Sequence, residues 1–116
     1  MVEKYAFGLI IINGKEYRYD VEVRWTGEVL KWWRKEGHIF DVEDVKRAVA
    51  QNPDIIILGT GDWGMAQVTE RCKNFIREKG IELIINKTKD AVEAFNTIIQ
   101  NPREKKKVIA LLHLTC

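Results

Sequence analysis

The N-terminal part of the chain alternates between apolar and polar positions in a way that predicts paired strands. Residues 7–12 form an apolar run, and Asn13-Gly14 directly after it is a dipeptide that favours a two-residue hairpin turn. Apolar and charged residues then alternate through residues 17–25, with Asp20 and Glu22 among the charged ones. This period of two indicates a strand with one face in water. We therefore predict an antiparallel hairpin whose charged face is exposed.

The following segment, residues 26–40, shows no regular period. Two glycines interrupt it, and Trp32, Trp33 and Arg34 lie between them, so we predict a long arm or loop with one short strand. Adjacent residues of an extended chain point to opposite sides, so Trp32 and Trp33 cannot both enter one core. Because Trp and Arg are typical anchors of protein interfaces, Trp32, Trp33 and Arg34 are candidate interface residues, with simple core packing as the alternative.

From residue 41 onward, apolar positions recur at helical spacing in three segments. Asp41 can cap the first, which ends at Asn52-Pro53. Gly80 ends the second segment in the position that prefers a left-handed residue. Thr88 can cap the third, which ends at Asn101-Pro102. Three amphipathic helices are therefore predicted.

Each predicted helix is followed by a short apolar run. These runs are residues 54–58, 81–85 and 108–114, and the first is too uniformly apolar for a half-exposed edge strand. Because strands and helices alternate, the three strands are expected to pair in parallel through right-handed crossovers. The predicted fold class is α/β, with an N-terminal antiparallel β portion packed on a βαβαβ unit in one domain, residues 1–116.

Composition limits the classes of function. A chain of 116 residues with 46% apolar and 31% charged residues is long enough for one core. It contains no serine, which excludes serine-nucleophile mechanisms. The formal charge is +2 and both signs are interspersed, so no basic stripe predicts nucleic-acid binding. The many Ile, Lys and Glu residues fit the composition of a thermophile's protein.

The beginning of the chain predicts no targeting segment. It carries charges rather than the apolar core of a signal peptide, and no run reaches the roughly 18 apolar residues of a membrane span. We therefore expect a cytoplasmic protein without membrane contact. Its two cysteines, Cys72 and Cys116, need not form a disulfide in a reducing compartment.

A glycine motif follows the first apolar strand. The segment Gly59-Thr60-Gly61-Asp62-Trp63-Gly64 has the G-x-G-x-x-G spacing of a dinucleotide-binding turn. However, the next strand ends in Asn86-Lys87 where a ribose-binding acid is expected, and Asp62 would repel a pyrophosphate. A tight turn of small residues is the simpler interpretation, and we predict no cofactor. If a ligand binds here, a phosphate, mononucleotide or carboxylate suits the turn better than a dinucleotide.

Four side chains are soft or borderline metal ligands: His38, His113, Cys72 and Cys116. The single H-x-x-C pair formed by His113 and Cys116 is too little for a four-ligand zinc site, so we predict no metal. Residues three apart in a strand point to opposite faces, which argues against a Cys116 nucleophile with His113 as its base. Cys72 lies on the apolar face of its predicted helix, where we expect it to be buried. No catalytic residue is assigned.

Several short motifs together resemble one protein family. In chain order they are Trp33-Arg34, Glu36-Gly37-His38, residues 41–45, Ile57-Leu58-Gly59-Thr60-Gly61, Gly80-Ile81, Thr88, Ala91-Val92, Phe95-Asn96 and His113-Leu114-Thr115-Cys116. This succession looks like the Mth domain family, which includes uncharacterised archaeal and bacterial proteins, a vertebrate adipogenesis-associated Mth domain protein and a mitochondrial complex I assembly factor. The resemblance covers nearly the whole chain and implies a single three-layer α/β domain.

The resemblance implies no established reaction. Family members with an assigned role look like assembly or interaction factors, so we predict a non-enzymatic protein-interaction or assembly domain that binds a protein partner or associates with itself as a homodimer. The alternative is a small-molecule binder or minor enzyme with its site beyond the strand ends. Its candidate contacts are Gly59, Thr60, Gly61, Arg34, His38, His113 and Cys116.

Overall fold

A computed structural model describes all residues, 1–116, as ten strands and three helices. The strands are β1 (Val2–Ala6), β2 (Leu9–Ile12), β3 (Lys15–Tyr17), β4 (Val21–Arg24), β5 (Val29–Lys31), β6 (Ile39–Phe40), β7 (Ile55–Gly59), β8 (Gln67–Val68), β9 (Glu82–Asn86) and β10 (Val108–Leu112). The helices are α1 (Val42–Val49), α2 (Glu70–Glu78) and α3 (Thr88–Ile99). None of the three is long and apolar enough to cross a membrane.

Five strands form a mixed sheet in the spatial order β5-β4-β10-β7-β9. β7 lies between β10 and β9 and is parallel to both, with Ile57 opposite Ala110 on one side and Ile84 on the other. The three apolar runs predicted as parallel strands are these three, so that prediction is confirmed. β4 pairs antiparallel with β10, and the short β5 completes that side of the sheet.

The two faces of this sheet are covered by different elements. Ile57 and Ala110 point to the face that is covered by α3 and by a smaller antiparallel sheet of β1, β2 and β3. Leu58 and Leu111 point to the opposite face, where α1 and α2 pack. The result is three layers, as the resemblance implied, and it explains why the central strands are uniformly apolar.

The N-terminal strands differ from the predicted single hairpin. The turn at Asn13-Gly14 forms as predicted, with φ of 50° and 81°, and it joins β2 to β3. The alternating run after it is divided, because β3 stays in the small sheet while β4 joins the main sheet. Glu22 of β4 is therefore only 1% exposed, and its charge is paired with Arg24 at 2.7 Å and Arg47 at 3.0 Å. The prediction of a wet face at Glu22 was wrong, since α1 supplies Arg47 to that face.

Of the two helix caps predicted from the sequence, Asp41 and Thr88, the structure confirms Asp41. Asp41 caps α1 with a full capping box. The Asp41 side chain accepts from the backbone N–H of Asp44, and the Asp44 side chain accepts from the backbone N–H of Asp41. Thr69 caps α2. Thr88 does not cap α3, because Lys87 holds the cap position and the Thr88 side chain is fully buried against the sheet. That difference places Thr88 at the carboxyl ends of the strands.

Candidate functional site

The glycine turn after β7 is filled by the chain's own residues 115 and 116. Gly61 has a φ of +106°, and a Cβ atom added there would lie 2.6 Å from the main-chain oxygen of Cys116. Gly59 is also tightly enclosed, since its Cβ would lie 2.9 Å from the Leu112 side chain. Small residues are therefore required here for the close approach of two backbone segments, in agreement with the tight-turn interpretation of the sequence.

Five of the six backbone N–H groups of residues 60–65 are engaged within the protein, and that of Trp63 has no hydrogen-bond partner. In each bond the backbone N–H is the donor: that of Thr60 donates to the carbonyl of Asn86 (2.9 Å), that of Gly61 to Thr88 Oγ1 (2.8 Å), that of Asp62 to the carbonyl of Thr115 (2.6 Å), that of Gly64 to the carbonyl of Gly61 (3.2 Å) and that of Met65 to the main-chain oxygen of Cys116 (3.0 Å). An anion site at a strand-to-helix turn depends on free N–H groups that point at the ligand. A phosphate at this turn would first have to displace residues 115 and 116.

The carboxylate of Asp62 adds negative charge to the same turn. The Tyr5 hydroxyl donates to Asp62 Oδ1 at 3.2 Å. Burial raises the pKa of Tyr5, and the nearby charge of Asp62 raises it further. The turn therefore carries a carboxylate, and negative charge disfavours the binding of an anion.

Beside the turn lies a group of three charged or polar side chains, Asp20, Arg34 and His113, of which Arg34 and His113 are buried and Asp20 is partly buried. We call this group the polar cluster. Asp20 Oδ2 lies 2.7 Å from Arg34 Nη1 and 2.8 Å from His113 Nδ1, and Asp20 Oδ1 accepts from the backbone N–H of Leu114 at 2.7 Å. The Arg34 side chain is only 5% exposed. Its guanidinium lies 4.5 Å from the centre of the Trp32 ring, within the range of a cation–π contact.

The polar cluster is electrostatically balanced around Asp20. Burial alone would raise the pKa of Asp20, but hydrogen bonds from His113 and Leu114 and the nearby charge of Arg34 outweigh it, so the pKa lies below its usual value. Arg34 Nη1 is close to the carboxylate without being aligned for a hydrogen bond. Arg34 Nη2 lies 3.0 Å from His113 Nδ1, which can donate to Asp20 or accept from Arg34 but cannot do both at once.

A thiol and an imidazole meet at the outer side of the polar cluster. Cys116 Sγ lies 3.4 Å from His38 Nε2, and the His38 ring packs edge-on against His113 with 5.8 Å between ring centres. His38 is exposed and Cys116 is partly buried. The partner of the Cys116 thiol is therefore His38, not the His113 with which sequence spacing compared it.

The second cysteine lies in a different environment. Cys72 is fully buried in α2, as predicted. Burial, together with the charges of Asp41 and Asp44, raises its pKa to about 12. No group of three or more His, Cys, Asp or Glu side chains has an arrangement that could hold a metal ion.

Three large apolar side chains project into solvent beside the turn. Phe7, Trp63 and Met65 are 54%, 65% and 56% exposed, and the Phe7 and Trp63 rings lie 6.0 Å apart. Main-chain hydrogen bonds tie their segments to the end of the chain, since Gly8 donates to Leu114 and Met65 donates to Cys116. We call Phe7, Trp63 and Met65 the apolar rim.

The structure separates the residues predicted for the site into two groups. Arg34, His38, His113 and Cys116 come together, whereas Thr60 turns away and its hydroxyl donates to the carbonyl of Asn86 at 3.2 Å. Five surface hollows of 310–520 Å³ are lined by none of these five residues.

Of the three predicted interface residues, one lies at the surface. Trp33 is 74% exposed, whereas Trp32 is 4% exposed and the Arg34 side chain is also buried. Trp32 and Arg34 are therefore packing residues of the folded chain, and the expectation that they anchor an interface is corrected. Their stacking explains both positions, because the indole shields the guanidinium and its N–H donates to the carbonyl of Asp44 at 2.9 Å.

Sequence reasoning missed Asp20, Thr88 and the apolar rim. Asp20 stands where the alternating run divides between two sheets, and no sequence signal marks that division. Thr88 accepts from Gly61 and donates to the carbonyl of His113 at 2.6 Å, so it joins the turn to the last strand. Phe7 lies in the turn between β1 and β2, whereas Trp63 and Met65 lie in the loop between β7 and β8, so only the fold brings Phe7 to the other two.

Comparison with known proteins places the chain among similar domains. Residues 2–113 match the profile of a family described as a protein of unknown function (DUF498/DUF598). The structure is similar to that of a conserved hypothetical protein from Pyrococcus horikoshii OT3, with 25% identity, a TM-score of 0.88 and coverage of 100% of this chain and 99% of the other.

Two further solved structures show the same fold. The protein called MT938 is 25% identical with a TM-score of 0.80, and the match covers 100% of this chain and 98% of that one. A Mth938-like domain from Bordetella pertussis is 15% identical with a TM-score of 0.67, covering 98% of this chain and 85% of the other. The descriptions of these proteins name no reaction and no partner.

Proposed function

Because the chain belongs to the DUF498/DUF598 family of unknown function, which is the Mth domain family, we propose its function from its own surface. We infer that it is a protein-interaction domain and that the apolar rim of Phe7, Trp63 and Met65 binds a protein partner. The place of action is the cytoplasm, where Cys72 and Cys116 need not form a disulfide with each other.

The observation that carries this proposal is the exposure of the rim. Each of its three side chains is more than half exposed, although Phe, Trp and Met gain most from leaving water. A cluster of such residues at one edge is typical of a contact surface, since Trp, Phe and Met are enriched at the centres of interfaces. Its main-chain supports are hydrogen-bonded to the end of the chain, so the surface is largely preformed.

The rival function, binding of a small anion at residues 59–61, has less support. The N–H groups of Thr60 and Gly61 are already paired, and the charged side chains of the polar cluster pair with one another. Thermal unfolding with phosphate, AMP or NAD provides the test. We expect none of the three to raise the midpoint, and a concentration-dependent rise with any of them would favour the rival.

Quantitative affinity capture from the native cell tests the proposal. We expect a specific protein to bind the wild-type chain and to be lost with Trp63→Ser, because the serine removes the largest and most exposed side chain of the rim. Tyr19→Ser is the matched control, since Tyr19 is also aromatic and 43% exposed but lies outside the rim. Equal recovery with wild type and Trp63→Ser would contradict the proposal.

Two further measurements show whether the partner binds at the rim or at Trp33, and whether that partner is a second copy of the chain. Loss of the partner with Trp33→Ser but not with Trp63→Ser would move the interface to Trp33. Sedimentation of the wild-type chain shows whether the partner is a second copy, and in that case Trp63→Ser is expected to convert the dimer to monomer.

A further inference from the structure

The structure points to a second activity at the same edge of the sheet. We propose that Cys116 and His38 form a nucleophilic pair that reacts with disulfides and takes up a thiol as a mixed disulfide. This inference does not depend on the apolar rim having a protein partner.

The two reacting groups are held in contact from separate elements. Cys116 Sγ lies 3.4 Å from His38 Nε2. The main-chain oxygen of Cys116 accepts from Met65, and the backbone of Cys116 fits against Gly61 where no Cβ atom could stand. His38 is fixed by a hydrogen bond from the Gln67 N–H to its carbonyl at 2.8 Å and by its edge-on contact with His113.

The surroundings of the pair distinguish a reactive thiol from a structural one. His38 is exposed and Cys116 is only partly buried, so a substrate can reach the sulfur. A nucleophilic thiol needs an adjacent base that takes its proton, and a neutral imidazole is the usual one. Cys72 provides the contrast within the same chain, because it is fully buried and has no such base within reach.

The chemical step balances without any added oxidant. The proton of the Cys116 thiol passes to His38 Nε2, and the thiolate attacks one sulfur of a substrate R–S–S–R′. The bond between Cys116 and that sulfur forms as the S–S bond of the substrate breaks. The leaving R′–S⁻ takes the proton from His38, so the products are the mixed disulfide at Cys116 and R′–SH.

The same chemistry has two sources of substrate, a low-molecular-weight disulfide or a disulfide in a polypeptide. Oxidised glutathione represents the first, and a short symmetrical peptide disulfide with Phe beside each Cys represents the second. The apolar rim next to Cys116 predicts that the peptide reacts faster. Failure of both probes to modify the wild-type chain would overturn the proposal.

Intact-mass spectrometry over time measures the reaction and its dependence on His38. We expect one adduct on the wild-type chain, the same rate for Cys72→Ser and no adduct for Cys116→Ser. His38→Asn is expected to slow the reaction by roughly ten-fold or more, since it removes the base but keeps a polar side chain. Thermal unfolding of each variant checks that the fold is retained.

Two results would contradict the assignment. One is a wild-type rate for folded His38→Asn, which would leave Cys116 as an ordinary surface thiol. The other is an adduct at Cys72. The reaction rates in urea provide a further control. The unfolded wild-type and His38→Asn chains are expected to react at equal rates, because Cys116 and His38 are in contact only in the folded state.

Discussion

At the scale of single residues, the polar cluster shows how one buried carboxylate holds several segments in place. Asp20 contacts Arg34 from the arm and His113 and the backbone of Leu114, the two residues directly after β10. Burying charges is costly unless each one is paired. Here the partners are mutually dependent, so the removal of one leaves a buried charge without compensation.

Asp20→Asn is therefore expected to destabilise the fold by about 3 kcal/mol, because Arg34 keeps its buried charge and loses its carboxylate. Urea unfolding of the variant and the wild type measures the difference. Glu16→Gln is the control, since Glu16 pairs with Arg18 at the surface and its loss should change stability by less than about 1 kcal/mol. Equal effects of the two substitutions would contradict the role given to Asp20.

The lowered pKa of Asp20 also predicts a pH dependence. Since the pKa of this carboxyl is lower in the folded than in the unfolded chain, the unfolded chain binds a proton first as pH falls. The contribution of Asp20 is complete above about pH 4 and is lost progressively below it. We expect the gap in unfolding free energy between wild type and Asp20→Asn to shrink in acid. A gap that stays constant down to about pH 2 would show that ionisation of Asp20 does not matter.

Thr88 offers a second test at this scale. Its buried hydroxyl joins the N–H of Gly61 to the carbonyl of His113, so Thr88→Val leaves both groups without partners. We expect a loss of about 1–3 kcal/mol in urea unfolding. Thr88→Ser keeps the hydroxyl and should lose less, and a larger loss for serine than for valine would indicate that packing of the methyl group dominates.

At the scale of elements, the glycine turn and residues 115–116 act as one unit. The sequence identified the turn, because Gly59 and Gly61 follow an apolar strand. It could not show what fills the turn, since the contact joins Gly61 to Cys116, which lie far apart along the chain. A motif that elsewhere admits a pyrophosphate here admits the backbone of its own chain.

Gly61→Ala is accordingly expected to displace residues 115–116 and to lower the unfolding midpoint. The new Cβ would meet main-chain atoms of Cys116 at 2.6 Å, and those atoms cannot be moved by a simple rotamer change. Gly14 has a comparable positive φ of +81° and open space around it. The loss of stability on Gly14→Ala therefore measures only the cost of placing alanine at a positive φ, about 1 kcal/mol. Gly61→Ala should cost clearly more, and a cost equal to that of Gly14→Ala would refute the close contact.

At the scale of the whole molecule, patterns that depend on local periodicity were predicted well, and arrangements that depend on distant contacts were not. The parallel strands and all three helices follow from apolar spacing, and the start of α1 also follows from its cap residue Asp41. The division of the strands around Asp20, which sends β4 to a second sheet, does not follow, because alternation is the same in both sheets. The contact of His38 with Cys116 and the assembly of the apolar rim likewise exist only in the folded chain.

The same folding that closes the glycine turn leaves Phe7, Trp63 and Met65 exposed beside it. The central claim is that this edge of the sheet contacts a protein. Site-specific photo-crosslinking in the native cell tests it most directly, with a benzophenone amino acid placed at the position of Trp63 or, as the control, of Tyr19. We expect a discrete protein adduct from the Trp63 position and none from the Tyr19 position. No adduct at Trp63, or equal adducts from both positions, would contradict it.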